Sequence, residues 1–322
     1  VRLCGRVNDK GIPIVPKYWT PDEPHLYNAN IKFGEDEVET YFALRTLGQE
    51  KAGETFRLTL NGESIFLHGL LDQGYYPEGI YLPGREEAYE QDILRMKELG
   101  FNMLRKHIKI EPQIFYYYCD KYGMIVFQDM VNSGKYSFLI DTALPTVATR
   151  SGITHKASAR RREHFERSCR ETVKLLYNHP SVCYYTIFNE GWGQHDTQNL
   201  YRHFKALEPG RIWNAASGWF KNSDSDVQSE HIYFGSLAMR PNGRRPLLLT
   251  EFGGYSWPIE GHRFNLDEEY GYQKFRSAEE FQTALTALLS NPLIHGMTNA
   301  ERVLDQLVIG AAGSLVVDHD VR

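Results

Sequence analysis

The chain of 322 residues has few cysteines, no long apolar run and no excess of positive charge. Its four cysteines (Cys4, Cys119, Cys169 and Cys183) match neither a CxxC motif nor a zinc-ligand spacing, so we expect buried free thiols. No run of about 18 apolar residues is present, so no transmembrane helix is predicted. The formal net charge of -5 makes nucleic acid and anionic membranes unexpected as partners.

Signals for a bound cofactor are also scarce. Gly191-Trp192-Gly193 is a lone GxG without the rest of a dinucleotide fingerprint. Asp318-His319-Asp320 has metal-binding donor types but lies at the end of the chain without further candidate ligands beside it. The sequence therefore predicts neither a redox cofactor nor a metal. It favours no particular cellular compartment, and it leaves an oligomer open.

The first 50 residues have the pattern of β structure. Short strand-like segments at Asn28–Phe33 and Val38–Leu44 are separated by a turn at Gly34. Two or three strands do not bury a sandwich core by themselves. We therefore expect residues 1–50 to be the C-terminal part of a β-sandwich, and residues 51–322 to form a second domain.

From residue 56 onward, strand patterns alternate with helix patterns. Predicted strands lie at Ile65–Gly69, Phe101–His107, Met124–Gln128, Val182–Phe188, Arg211–Asn214, Glu230–Phe234 and Leu247–Thr250. Predicted helices lie at Arg85–Leu99, Pro112–Gly123, 159–178 and Ser277–Leu289. Short βα units of this kind indicate an α/β fold with a parallel sheet, and seven of them favour a (β/α)8 TIM-type barrel. A doubly wound sheet is the main alternative, but residues 68–74 lack its glycine-rich first turn.

Two segments depart from a regular barrel. Residues 130–158 form a long polar loop after the third strand, where it would lie on the catalytic face. Residues 290–322 are atypical: Gly313–Val317 is a candidate eighth strand, and no helix pattern follows it. We therefore expect a barrel that is incomplete at its eighth unit.

Two glutamates follow apolar strand runs and are the strongest functional signal. Glu190 comes directly after Asn189 at the end of the fourth strand, and Glu251 ends the seventh. A carboxylate in such a place is costly to bury unless it is paired or used. Active residues of barrels come from the C-terminal ends of strands, and paired carboxylates suit glycoside hydrolysis. Either glutamate alone could equally be a solvated turn residue.

Several motifs in order resemble glycoside hydrolase family 2, which contains β-galactosidases, β-glucuronidases and β-mannosidases. The quoted matches are Trp19–Tyr27, Asn61-Gly62 with Phe66–Gly69, Gly100–His107, Phe188–Glu190 and Thr250–Phe252. The resemblance covers most of residues 18–289. It implies a TIM barrel that is preceded by the end of an immunoglobulin-like sandwich, in a fragment truncated at both ends.

The resemblance also implies a retaining β-glycosidase that acts on a β-linked oligosaccharide or glycoside. Glu251 would be the nucleophile and Glu190 the acid/base. Arg105 would keep Glu251 charged, Tyr233 would hydrogen-bond it, and Asn189 would bind the sugar 2-hydroxyl. A rim salt bridge is the structural alternative for Arg105.

Further residues near strand ends could line a sugar pocket. For His68, Asp72, His107 and His231, structural hydrogen-bonded roles are at least as well supported. For Trp192 and Trp219, which follow strands, we favour sugar stacking for at least one, while a core role is equally open for either alone. Two other functions remain as alternatives. A truncated, inactive remnant would bind carbohydrate weakly, and a metal-dependent lyase or isomerase would need convergent ligands that the sequence does not offer.

Overall fold

The computed structural model describes residues 15–76, 78–131, 158–219, 224–235, 237, 239–259 and 271–289, and the backbone of 306–310. The strands are β1 (Tyr27–Phe33), β2 (Asp36–Phe42), β3 (Leu47–Ala52), β4 (Thr55–Leu60), β5 (Glu63–Ser64), β6 (Leu67–Asp72), β7 (Met103–Lys106), β8 (Ile125–Asp129), β9 (Val182–Asn189), β10 (Ile212–Ser217), β11 (Gln228–Ile232), β12 (Leu247–Gly253), β13 (Tyr255–Ser256), β14 (Gln273–Lys274) and β15 (Gln306–Gly310). The helices are α1 (Glu87–Glu98), α2 (Gln113–Tyr122), α3 (Ala159–Leu175), α4 (Thr197–Leu207) and α5 (Ala278–Leu289). No helix in these ranges is long and apolar enough to cross a bilayer.

Within the described residues, eight strands form one parallel sheet in the order β10-β9-β8-β7-β6-β15-β12-β11. The two ends of this sheet, β10 and β11, meet through the segment that precedes β11. The backbone N–H of Asp226 donates to the Trp213 carbonyl at 3.0 Å, and the Trp213 N–H donates to the Asp226 carboxylate at 2.8 Å. The ring of strands is thereby closed, and the predicted α/β barrel is confirmed.

The central strands are apolar runs because they are covered on both faces. Every residue of β8, β9 and β12 is buried. The outer helices cover one face, and side chains from opposite strands fill the barrel interior. Phe127 and Tyr184 stack inside the barrel with their ring centroids 3.9 Å apart. The barrel interior is therefore packed with side chains, and polar groups lie above it at the C-terminal ends of the strands.

The eighth strand lies earlier in the chain than expected. β15 occupies Gln306–Gly310 and pairs with both β6 and β12, so it completes the ring between the first and seventh strands. The predicted strand at Gly313–Val317 lies outside the described residues. So does the segment in which an eighth helix would follow, and the expectation of an incomplete eighth unit stays a prediction.

Helix α4 is an element that we did not predict. Its inner face carries Leu200 and Phe204, which are four residues apart and buried against β10.

The long loop predicted at residues 130–158 falls mainly outside the described part of the chain. Cys119, Cys169 and Cys183 are buried free thiols, as expected, while Cys4 lies outside the described residues.

The N-terminal strands are fastened to α2 and to the start of β9. β1 and β2 form an antiparallel hairpin, and β3, β4 and β5 form a three-stranded antiparallel sheet. The indole of Trp19 donates to the Asp120 carbonyl at 2.8 Å, and the Tyr41 hydroxyl donates to the Asp120 carboxylate at 2.7 Å. β3 runs across residue 50, where the domain boundary was expected. The immunoglobulin-like assignment of this region stays a prediction.

Two glycines that end helices allow a matched test of the packing below the barrel. Gly100 follows α1 at φ +87° with open space where a side-chain methyl group would lie, whereas a methyl group at Gly123 (φ +73°) would overlap the Pro21 carbonyl. We expect Gly100→Ala to lower the free energy of unfolding by about 1–2 kcal/mol because of the left-handed backbone alone. Gly123→Ala should cost clearly more. Thermal unfolding followed by circular dichroism measures both, and equal losses would contradict the tight contact with Pro21.

Candidate active site

The guanidinium of Arg105, on β7, lies at the centre of the candidate site. The side chain is fully buried, and its Nη1 lies 2.7 Å from Oε1 of Glu251, which belongs to β12. Nε and Nη2 lie 3.1 and 2.9 Å from the two oxygens of Asp129, at the end of β8. Nη2 also donates to Asn189 Oδ1 at 3.0 Å and to Ser217 Oγ at 3.1 Å. One cation therefore connects the ends of β8, β9, β10 and β12.

An irregularity in β12 aims Glu251 into the barrel. The pairing with β11 shifts next to Thr250, so that Glu251 stands opposite His231. Bulges beside active sites redirect a side chain in this way. The Thr250 carbonyl accepts from Arg105 Nη1 at 3.1 Å, and Glu251 Oε2 accepts a short hydrogen bond from the Tyr233 hydroxyl. Both oxygens of Glu251 are thus held by donors.

Glu190 is held by a strained turn at the end of β9. Its backbone has φ +55°, a left-handed conformation that costs a non-glycine residue about 1–3 kcal/mol. The Glu190 N–H donates to the Ser217 carbonyl at 3.0 Å, and its Oε1 lies 2.9 Å from Nδ1 of His231. Ligand atoms of Glu190, His231 and Glu251 all lie within 4.8 Å of one another. The two glutamates that the sequence singled out therefore converge on one point.

The surroundings shift the pKa values of the two glutamates in opposite directions. Burial raises the pKa of Glu190 above its ordinary value of 4.5, against the hydrogen bond from His231, and the negative charge of Glu251 adds to the rise. Burial alone would also raise the pKa of Glu251, but His231 and the positive charge of Arg105 outweigh it and lower that pKa below 4.5. At intermediate pH, one carboxyl therefore keeps its proton while the other is ionised.

The same cluster has donor types that a divalent cation accepts: two carboxylates and an imidazole. Arg105, at 2.7 Å from Glu251, places a positive charge beside any cation bound there, and this charge opposes binding. The arrangement is therefore better suited to proton transfer than to metal ligation. The absence of a metal stays a prediction from the sequence.

Three other predicted site residues join the cluster, and a fourth adjoins it. Asn189 accepts from Arg105 and from Ser217 Oγ, and His231 lies between the two glutamates. His107, just after β7, contacts Asp129 Oδ2 at 2.8 Å. The Trp219 ring lies 6.4 Å from that of His231, and the residue is half-buried at the edge of the site.

The remaining predicted residues are Asp72, His68 and Trp192. Asp72 accepts from Lys106 Nζ at 2.9 Å in a separate ionic cluster, described below. His68 lies near the beginning of β6, about 13 Å along the strand from Asp72, and its ring packs 4.7 Å from Phe101. This position favours a structural role for His68. Trp192 is half-buried in the loop that follows β9.

A buried ionic cluster lies between the loops that follow β6 and β7. Lys106 and Lys109 both contact Glu111 Oε1, and Lys109 also donates to the Gly74 carbonyl. Added to Gly74, a methyl group would overlap that carboxylate oxygen, so only glycine fits the approach of the two loops. The cluster joins the first two loops of the catalytic face without touching the two glutamates.

Asp129, Ser217 and Thr250 belong to the Arg105 network and were not predicted. Asp129 carried a usable signal, because it ends an apolar strand run just as Glu190 and Glu251 do. Ser217 and Thr250 carried none, since small hydroxyl residues are common in strands and turns. Their contacts depend on the closed ring of strands.

Comparison with known proteins identifies the family. The profile described as "Glycosyl hydrolases family 2, TIM barrel domain" matches residues 56–240, which is more than half of the chain. The chain belongs to glycoside hydrolase family 2. A β-galactosidase of Thermoanaerobacter pseudethanolicus is 25% identical over 259 residues, covering 77% of this chain and 32% of that protein. A β-glucuronidase of Bacteroides fragilis is 27% identical over 183 residues, covering 54% of this chain and 24% of that protein.

Solved structures of family 2 enzymes share the fold. A β-galacturonidase of Eisenbergiella tayi, solved with bound galacturonate, is 20% identical with a TM-score of 0.63 over 92% of this chain and 52% of that one. The chain spans about a third or less of the length of the two curated family 2 relatives above. The family and the barrel predicted from the sequence motifs are therefore confirmed, while the activity of this chain is a separate question.

The opposite pKa shifts predict opposite effects of two matched substitutions on stability. A raised folded pKa means that ionised Glu190 destabilises the folded state once the pH exceeds that pKa, so Glu190→Gln should raise the melting temperature at pH 8. Glu251 has a lowered folded pKa and stabilises the fold above about pH 4.5, an effect lost as the pH falls through that folded pKa. Glu251→Gln should therefore lower the melting temperature, by about 2–4 °C for each kcal/mol lost.

The pH dependence of both effects provides the control. Near pH 3, Glu190 of the unsubstituted chain is protonated in both the folded and the unfolded state, and the stabilisation by Glu190→Gln should disappear. Differential scanning calorimetry at the two pH values measures this. Shifts of the same sign for the two variants at pH 8 would contradict the assigned protonation states.

Proposed function

We propose that the chain hydrolyses β-glycosides by a retaining double displacement, with Glu251 as nucleophile and Glu190 as acid/base. The observation that carries this proposal is that two carboxyl groups with opposite pKa shifts converge, with one oxygen of each within 4.8 Å of the other. Retaining glycosidases hold their carboxyl groups about 5–5.5 Å apart, whereas inverting enzymes need about 6.5–9.5 Å to admit a water. The short separation supports the retaining course.

In the first step, ionised Glu251 attacks the anomeric carbon and the bond from that carbon to the leaving oxygen breaks. Glu190 gives its proton to the leaving oxygen, so a neutral alcohol departs and a glycosyl ester on Glu251 remains. In the second step, Glu190 takes a proton from water, and the hydroxide attacks the same carbon. The ester bond breaks, which restores ionised Glu251 and protonated Glu190. Two displacements on one carbon retain its configuration.

The neighbouring groups have roles that follow from their contacts. Arg105 and Tyr233 both donate to Glu251, so they keep it ionised and orient its oxygens for attack. His231 contacts Glu190 at 2.9 Å and can give or accept a hydrogen bond as the acid/base cycles. Asn189 is fixed through its carbonyl oxygen by Arg105 and Ser217, which leaves its amide N–H groups to meet the sugar 2-hydroxyl.

The substrate class that we propose is a β-linked glycoside or oligosaccharide. This proposal rests on the relatives, which are a β-galactosidase, a β-glucuronidase and a β-galacturonidase. Trp219 offers a half-buried aromatic ring beside His231 for a sugar ring.

We also propose that the strands before residue 50 end an immunoglobulin-like sandwich. An inactive remnant that binds carbohydrate weakly is the second candidate, and the turnover assay below distinguishes it from the first.

Substitution of each glutamate tests the proposal with phenyl and dinitrophenyl β-glycosides of galactose, glucose, mannose, glucuronic acid and galacturonic acid, which have poor and good leaving groups respectively. Glu251→Gln removes the nucleophile and should lower kcat by about four orders of magnitude. Glu190→Ala should lower kcat for poor leaving groups by about 10²–10⁴-fold. Azide should partly restore turnover by Glu190→Ala of the activated dinitrophenyl substrate, with a β-glycosyl azide as product.

Gly100→Ala is the control, because Gly100 lies at the end of α1 and should leave kcat unchanged. No turnover by the unsubstituted, folded chain on any of the five sugars would favour the inactive remnant. An α-configured azide product, seen by proton NMR, would contradict the assignment of Glu251 as nucleophile.

The opposite pKa shifts also predict a bell-shaped dependence of activity on pH. The active form has Glu251 ionised and Glu190 protonated. Activity should fall on the acid side as Glu251 gains a proton below 4.5, and on the alkaline side as Glu190 loses its proton above 4.5. Measurement of kcat/KM between about pH 3 and pH 9 reports both groups in the free enzyme. The alkaline limb should vanish in Glu190→Ala, and its persistence would show that another group is the acid.

A further inference from the structure

Asp129 is a buried carboxylate that neither step of the displacement uses. It ends β8 and is 1% exposed. Its Oδ1 lies 3.1 Å from Arg105 Nε, and its Oδ2 lies 2.9 Å from Arg105 Nη2 and 2.8 Å from His107 Nδ1. A carboxylate buried so completely is costly to the fold unless its partners compensate it. Both of its oxygens are compensated by groups of the catalytic end of the barrel.

The pairing with Asp129 fixes the plane of the Arg105 guanidinium. A carboxylate that accepts from two nitrogens of one guanidinium allows a single relative orientation, and this specificity is stronger than that of a point charge. Nη1, which is not bonded to Asp129, is then directed at Glu251 Oε1 at 2.7 Å. The position of the donor that orients the nucleophile therefore depends on Asp129.

Asp129 also competes with Glu251 for the positive charge of Arg105, because both carboxylates pair with the same guanidinium. Glu251 faces Arg105 from β12 and is itself faced by His231 from β11, Tyr233 after β11 and Glu190 after β9. Two carboxylates share the one guanidinium, and each is paired with part of its positive charge. A nucleophile that is neutralised completely is stabilised in the ground state, and this stabilisation must be lost when it attacks.

We propose that Asp129 is a positioning residue, which orients the guanidinium of Arg105 and shares its charge so that Glu251 stays ionised but remains reactive. This role rests on the proposed function, because it gives Asp129 a purpose only in a reaction in which Glu251 attacks. It concerns a carboxylate distinct from the acid/base and the nucleophile.

Asp129→Asn is the direct test, with the β-glycosyl fluoride of whichever sugar the unsubstituted chain prefers. The amide keeps the shape but removes the charge, so Arg105 pairs with Glu251 alone. We expect kcat and kcat/KM to fall together by about 10- to 100-fold, with KM little changed. The acid limb of the pH profile, which reports ionisation of Glu251, should move to lower pH because a negative neighbour is gone.

Asp120→Asn is the matched control. Asp120 is also a fully buried aspartate in contact with a histidine, His179 at 2.6 Å, but it lies on α2 and binds the N-terminal strands. It should lower the melting temperature without moving the acid limb or kcat. If Asp129→Asn does the same as this control, or moves the acid limb to higher pH, the proposed role of Asp129 is wrong.

Two further measurements keep the inference testable when Asp129→Asn folds poorly or turnover is absent. Asp129→Glu keeps the charge but changes the geometry, so kcat should fall while the acid limb stays in place; a shifted limb would contradict charge sharing. The carbon-13 carboxyl signal of Glu251, assigned by its loss in Glu251→Gln, gives its pKa without turnover. If the unsubstituted chain is inactive, the proposed function is contradicted. If the pKa of Glu251 is the same in Asp129→Asn as in the unsubstituted chain, this inference alone is contradicted.

Discussion

A buried guanidinium holds the catalytic end of this barrel together. Arg105 is surrounded by the ends of four other strands, and its donors meet two carboxylates, a side-chain amide, a hydroxyl and a backbone carbonyl. Burial of such a charge is tolerated because every direction in which it could be solvated is occupied by an acceptor. Together with His231, its positive charge lowers the pKa of Glu251, whereas burial raises the pKa of Glu190.

The pattern of apolar runs was sufficient to predict the barrel. Runs such as Val182–Phe188 are too short for helices, and each corresponds to a strand whose ends differ from the prediction by at most three residues. The motif Phe188–Glu190 and the run into Glu251 then indicated both candidate acids jointly, because a carboxylate at the end of an apolar run is costly to bury unless it is paired or used. The local sequence carries this information because strand burial and strand ends are local properties.

The features of the site that the sequence did not reveal form only when the strands close into a barrel. The register shift beside Thr250 and the left-handed backbone of Glu190 arise where strands from distant segments meet. Ser217 reaches Arg105 from a position 112 residues away. The eighth strand was placed too late because β15 has no flanking helix pattern in the sequence, and its partners β6 and β12 select it. Helix α4 was missed because only Leu200 and Phe204 mark its inner face.

The ring also has a seam. Between β10 and β11, the regular ladder is replaced by bonds from Asp226 to Trp213. Glu190 and its Ser217 support lie on one side of this join, and His231 and Glu251 lie on the other. The contact between Glu190 and His231 at 2.9 Å therefore also fastens the ring across this join. In the proposed reaction, a substrate held between Glu190 and Glu251 would bridge the same join, so its binding would also stabilise the closed ring of strands.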